Sequence, residues 1–314
     1  MLTAQPFVMW FRRTWLLLLL GLVAIVARGG DDTLRVVFTG DVLLDRGVRR
    51  FIEHRGVDAL FSPGVEKLFS SSDVVVGNLE CPATVIRQPV YKRFIFRAEP
   101  QWLQALRRHG FTHLGLANNH SIDQGRAGLM DTQRNIRAAG MTPVGAGSNL
   151  QEAVAPVLLA EKPRKVFLLA TLGMTLENFA YLPNSPCVAQ ESADSLAARV
   201  ASLRRSYPDS YIIVMPHWGW EHHTEVIPHQ RMVAHALIDA GADLIVGHHT
   251  HTLQPSENYC GRAIYYGTGN FIFDQTSLLN TRACVVSLQL TATKAKVEEL
   301  PVQIEDCVPH IVRP

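Results

Sequence analysis

"DLIVGHHTH", residues 243–251, joins a short apolar run to three histidines within four positions. A run of aliphatic and β-branched residues this short reads as a buried strand, and the histidines then stand at its C-terminal end. His249 and His251 are two apart, so both rings can reach a common point if the chain curls after the strand. The same design recurs along the chain. "LRVVFTGD" (34–41), "DVVVGNLE" (73–80), "THLGLANNH" (112–120) and "YIIVMPHW" (211–218) each end an apolar run in acids, amides or histidine, and "AIYYGTGNF" (263–271) has the same form.

Helical patterns separate these runs: Pro63 to Phe69, Pro100 to His109, Gln124 to Ala139, Ser192 to Tyr207 and Ile227 to Ala240. Proline stands near the start of the first two, and glycine follows several ends, as helix termini prefer. Strands alternating with helices predict an α/β fold with a largely parallel sheet. Ligands of such sheets bind outside the carboxyl ends of the strands, so polar clusters far apart in sequence should converge in space. The tail "RACVVSLQLTATKAKVEELPVQIED" alternates with period two and predicts an antiparallel hairpin turning near Thr293 and Lys294. Residues 173–191 lack periodicity and hold two prolines, the mark of a long loop beside the site, a candidate lid. One domain is expected over residues 34–305.

Imidazole, carboxylate and amide oxygen together suit borderline divalent ions such as manganese, iron or zinc, and two such ions can share a bridging carboxylate. His249 and His251 supply nitrogens, and His217 a third from another strand end. Asp41 and Glu80 supply anionic oxygens, and Asn119 a neutral one. His120 is a candidate to hydrogen-bond a substrate oxyanion or a nucleophilic water. Each residue alone has a plainer reading: Asp41 as a helix cap or turn residue, "NNH" as a polar turn, His217 as a ring packed on its neighbour Trp218. Their shared topological position is what argues for a common metal site.

The charge balance bounds the partners. The formal charge is +2, but residues 1–30 hold three arginines and no acids, so the remainder carries a net −1. That leaves no electrostatic footprint for nucleic acid. In the N-terminal segment Arg12 and Arg13 precede "TWLLLLLGLVAIVA". Its apolar run is shorter than the roughly 20 residues of a spanning helix, yet the flanking arginines obey the positive-inside rule. An uncleaved single-pass membrane anchor with the body outside the cytoplasm is expected, or a secreted or periplasmic protein if the segment is removed. Five cysteines with no C-x-x-C pair exclude a zinc knuckle and a thioredoxin-like motif.

Taken in order, "FTGDVLLDRG", "GNLE", "ANNH", "HWGWE", "GHHTH" and "GNFIFDQ" resemble the poly-γ-glutamate capsule biosynthesis family CapA, a branch of the calcineurin-like metallophosphatase superfamily. The resemblance covers roughly residues 34–280 and implies a four-layered α-β-β-α sandwich with metals at the strand ends. It implies that Asp41, Asn119 with His120, His217, and His249 with His251 match the superfamily's motif residues. Two positions depart from the pattern. Leu43 stands where the first motif, D-x-H, has its histidine. Asn78 stands where a bridging aspartate follows glycine, so the bridge is assigned to Glu80, the nearest acid.

Glu221 resembles a family-specific acid and becomes a candidate for the missing ligand or for a general base. Asn270, Asp274 and Gln275 are expected to line the cleft. Lys92, Arg93 and Arg97, in "YKRFIFRAEP", can meet a polyanion or form a solvated face, and Arg93 is taken as the substrate-binding candidate. The resemblance implies an extracytoplasmic metal-dependent protein, hydrolase-like, acting on an anionic polymer in capsule synthesis or export. The competing expectations are a phosphatase or phosphodiesterase, and a non-catalytic anchoring or export subunit of a membrane polymer synthase complex.

Overall fold

In the computed structural model, which describes residues 33–312, alternate residues of single strands go to different cores. Val36 and Phe38 of the strand Leu34–Val42 face one apolar cluster, while Val37 between them faces another. In Tyr211–His217, Ile213 and Met215 join the cluster of Val36 and Phe38, whereas Ile212 and Val214 face the opposite way. Period-two burial on both faces makes each sheet an inner layer. Two sheets therefore pack face to face, and helices cover each outer side.

The first sheet runs in the order Val308–Ile311, Ala295–Glu305, Arg282–Leu290, Leu34–Val42, Val74–Leu79, His113–Gly115 and Thr142–Val144, with Asn270–Ile272 paired to Leu34–Val42. The second runs Ser256–Tyr259, Arg262–Tyr265, Leu244–Val246, Tyr211–His217, Val166–Leu172 and Val157–Ala160. Their centres are parallel, and the antiparallel strands lie toward the edges. Helices Arg46–Arg55, Pro63–Ser70, Trp102–Arg108 and Gly125–Ala138 bury Val48, Val65, Leu103 and Leu129 against the first sheet. Ala193–Ser206 and Pro228–Asp239 bury Val200 and Leu237 against the second. This is the expected α-β-β-α sandwich.

Four local features differ from the sequence reading. Val166–Leu172 is a central strand of the second sheet, but no polar cluster follows it, so it carries no flag. Arg46–Arg55 is a helix whose charged residues mask its two buried positions, Val48 and Ile52; the Asp45 side chain accepts from the Arg46 amide at its start. "AIYYGTGNF" is two strands: Arg262–Tyr265 belongs to the second sheet and Asn270–Ile272 to the first. Past residue 305 the chain adds Val308–Ile311 as an edge strand. The 173–191 loop is pinned rather than loose, since Arg126 donates to the carbonyls of Ala180 and Pro186, and Asn178 donates to that of Tyr91. The expected anchor at residues 1–30 lies outside the described residues, and among the described residues no helix is long and apolar enough to cross a membrane.

Candidate metal centre

Strand register sets the site. Asp41 is the cross-strand partner of both Asn78 and Asn270, which gathers three polar side chains at the end of the first sheet. Glu80 follows two residues after Asn78, and Asn118 to His120 follow the strand His113–Gly115. His217 ends its strand in the second sheet and bridges to His248, which starts the histidine loop. Gly247 makes that loop possible: a β-carbon there would lie 2.1 Å from the Tyr266 carbonyl oxygen. His249 and His251 then take left-handed backbone angles, φ 93° and 54°. Such conformations are uncommon for residues other than glycine and concentrate where function demands them.

The two sheets meet around Glu80. Its carboxylate is buried, and neither oxygen has a hydrogen-bond partner. Oε1 lies 3.2 Å from His217 Nε2. That nitrogen is in turn 2.9 Å from Asn119 Oδ1 and 3.1 Å from His249 Nδ1. Oε2 lies 3.7 Å from His251 Nε2, and Asp41 Oδ2 is 3.4 Å from the other nitrogen of the same ring. Glu80 Oε1 thus faces His217, whose Nε2 also meets Asn119 and His249, while Oε2 faces His251, whose Nδ1 lies near Asp41. Ligand atoms of Asp41, Glu80 and His251 all lie within 4.8 Å of one another.

The charge state points the same way. Burial, and then the charge of Asp41, push the Glu80 carboxyl well above its ordinary range. Asp41 is held below its own range: burial opposes this, but the His251 hydrogen bond and the neighbouring imidazoles prevail. Burial works to lower His251 as well, yet the Glu80 and Asp41 carboxylates hold it at about 9. Burial and the charge of His251 push His249 down to about 4, and burial, with His249 beside it, drives His217 well below the imidazole range. The site therefore sets two buried acids and His251 in competition for the same proton. A divalent cation fits better, because it would also satisfy the two bare oxygens of Glu80.

Surrounding groups aim these side chains. His251 Nδ1 is 2.9 Å from Asn270 Oδ1, an arrangement that leaves Nε2 for a cation, and Asn270 Nδ2 donates to Gln275 Oε1. The His249 amide donates to Asp41 Oδ2 across the gap between sheets. Asn78 Nδ2 donates to Asp41 Oδ1 and also lies 3.3 Å from His217 Nδ1, a contact between the two sheets. It is a brace for Asp41. Leu43 sits in the outer core of the first sheet, so the histidine of D-x-H has no replacement at that position. His248 turns away, its Nε2 2.9 Å from the Thr39 carbonyl oxygen.

His120 stands on a support that sequence reading did not include. Its Nδ1 is 2.8 Å from Asp123 Oδ2, which also accepts from the Phe96 amide, while Asp123 Oδ1 accepts from Lys92 Nζ at 2.9 Å. The same ammonium donates to the Asn119 carbonyl, and the Phe96 ring packs on the imidazole at 4.3 Å. An acid three residues after a histidine in "NNHSID" was the available signal for Asp123. Asn118, also missed, donates to Asn78 Oδ1 and accepts from the amides of His120 and Ser121, bracing the loop.

Other candidates are placed differently. Lys92 and Arg97 turn inward: Arg97 pairs with Glu99 and donates to the Thr84 carbonyl. Arg93 is exposed, with its guanidinium over the Phe94 ring. Asp274 binds Arg46 and the Gly47 amide, fastening the first helix, and so does not face Glu80's partners. Glu221 is exposed on the turn after His217, close enough for its charge to act on Glu80 and His251.

A family model described as bacterial capsule synthesis protein PGA_cap matches residues 35–275, a span that holds every one of these site residues. The chain belongs to this capsule synthesis family. Like it is the PGA biosynthesis protein CapA of Bacillus subtilis, 33% identical over 289 residues, which cover 90% of this chain and 75% of that one. The capsule biosynthesis protein CapA of Bacillus anthracis is 30% identical over 300 residues, 92% of this chain and 72% of the relative. Among solved structures, the NAD nucleotidase of Haemophilus influenzae superimposes with a TM-score of 0.52 over 90% of this chain and 54% of that one, at 9% identity. That likeness establishes a metallophosphatase-like fold for the capsule family member, and nothing about its substrate.

Proposed function

We propose that this chain is a metal-dependent, hydrolase-like protein of poly-γ-glutamate capsule synthesis or export that works on an anionic polymer outside the cytoplasm. The observation that carries the reading is the Glu80 carboxylate, buried with two unpartnered oxygens and a separate donor set facing each. On this reading Asp41, Glu80 and His251 hold one ion, and Glu80, Asn119, His217 and His249 a second, of manganese, iron or zinc. Bound cations supply a polarised carbonyl or phosphoryl oxygen, or an activated water. His120, with Nδ1 committed to Asp123, offers Nε2 to the proton that moves. Arg93, which is exposed, contacts the polymer, Glu221 beside the site is the candidate general base, and Asn270 with Gln275 keeps His251 aimed. Residues 1–30 hold the body to the membrane beside a polymer synthase complex, a reading supported by Arg12 and Arg13 ahead of the apolar run.

Bound manganese, iron and zinc should be measured on the purified full chain, and γ-glutamyl polymer and phosphate esters then assayed with wild type and His251→Ala. Polymer cleavage or transfer that disappears in the variant is expected. Turnover of phosphate esters alone would replace this reading with a phosphatase, and polymer binding with neither metal nor turnover with an anchoring subunit. A metal-free wild type that His251→Ala leaves unchanged in every assay sinks the metal centre. Protease accessibility from outside intact cells tests the location.

A further inference from the structure

Beside the histidine loop stands a fourth imidazole that the motif pattern leaves without a role. His222 is exposed, and its ring centre lies 5.9 Å from that of His251. Its amide donates to the Thr250 carbonyl, which ties it to the loop that carries both ligand histidines. Its backbone is left-handed, φ 61°, the third histidine at this site in that region. A bulky residue held there against its preference is over-determined by its surroundings.

The buried Asn280 decides which nitrogen of His222 carries the proton. Asn280 Nδ2 donates to the His251 carbonyl at 2.8 Å, so that end of the amide is the one bearing hydrogens. The same Nδ2 lies 3.0 Å from His222 Nδ1. An N–H can face only a lone pair, so Nδ1 is the acceptor, and the neutral ring has its hydrogen on Nε2. A nitrogen in that state is a donor and not a metal ligand. His222 therefore does not stand in for the histidine that Leu43 replaces.

We propose that His222 is a substrate-contacting residue of the metal centre, and that its Nε2–H donates to an anionic oxygen of the ligand, carboxylate or phosphoryl. This rests on the metal-centre reading above. Nε2 has no side-chain or backbone partner among the described residues. Beside a centre that holds cations, the group such an N–H meets is the oxygen of the bound anion.

The test uses the full chain loaded with manganese and calorimetric titration with inorganic phosphate and with the dipeptide γ-glutamyl-glutamate, comparing wild type, His222→Leu and His222→Gln. Loss of one hydrogen bond to a charged group should weaken binding about tenfold in His222→Leu, and the carboxamide N–H of His222→Gln should recover most of it. Manganese per chain should be the same in all three. A tenfold loss for phosphate alone names a phosphoryl oxygen, and for the dipeptide alone a carboxylate. Equal affinity in His222→Leu overturns the proposal, as does manganese lost on that substitution, which would make His222 a ligand. If the wild type takes up manganese yet binds neither probe, this proposal falls and the metal centre stands; if it takes up none, both fall.

Discussion

The two sheets contribute opposite chemistry to one site. From the first come Asp41 and Glu80, placed by parallel pairing whose register shifts between Phe38 and Asp41, with Asn119 and His120 on the turn beyond the next strand. From the second come His217, at a strand end, and His249 with His251, placed by a loop bent through two left-handed residues. The carboxylate half relies on cross-strand register, which shifts on either side of Asp41 and sets it beside both Asn78 and Asn270. The imidazole half relies on left-handed backbone at His249 and His251, on the loop that brings His249 against His217 and His251 against Glu80. Neither half is a donor set alone: the two acids come from the first sheet, and His217, His249 and His251 from the second. The site is a product of the sheets' packing.

Removing the shared group should break the comparison outright. Glu80→Gln is expected to abolish metal uptake on both sides, since a neutral amide bridges cations poorly, and elemental analysis reads this directly. If Glu80→Gln keeps its metal, the two halves do not share a bridge.

The next largest effect lies under the first half. Lys92 and Asp123 form a pair with side-chain exposures of 3% and 0%. Lys92→Met leaves Asp123 as an uncompensated buried charge and should cost about 3–5 kcal/mol, measured as the urea midpoint. A surface role for Lys92 predicts no such shift.

Two smaller effects separate the halves. Asn270→Leu takes away the partner of His251 Nδ1 and should weaken metal binding about 10–100-fold with the fold intact, as read by competition with a chelator. The pH dependence tests the proton on His251. Its folded value of about 9 lies above the ordinary imidazole value near 6.5, so the stability it contributes is complete below that ordinary value and is lost as pH rises through about 9. Metal-free protein should weaken over that window in thermal melts, and manganese-loaded protein, with a cation in place of the proton, should not. The smallest effect is expected for Arg93→Ala, within about 0.5 kcal/mol in stability, because its side chain is exposed; polymer affinity is where a loss should show.

Much of this was legible in the chain. Strand ends that finish in polar residues pointed to Asp41, Glu80, Asn119, His217, His249 and His251, because they share one topological position at the carboxyl ends of the strands. What was missed lacked such a flag. Val166–Leu172 is as buried as its neighbours but delivers nothing to the site, and Arg46–Arg55 shows only two apolar positions among its charges. Asp274 was expected to line the cleft with Asn270 and Gln275, yet its partner is Arg46, 228 residues away. No local pattern announces a contact of that range.

By itself the sequence determined the alternation of strands and helices, the layer order that follows from it, and the donor types at the strand ends, since each depends on hydrophobic period and residue chemistry. Only the tertiary structure decided that Asp41, Glu80 and His251 come within reach of one another, that Asn78 braces Asp41, that Lys92 points inward, and which nitrogen of His222 faces Asn280. Those outcomes depend on how two sheets approach each other across a common core, and on distances of a few ångströms between residues that lie far apart along the chain.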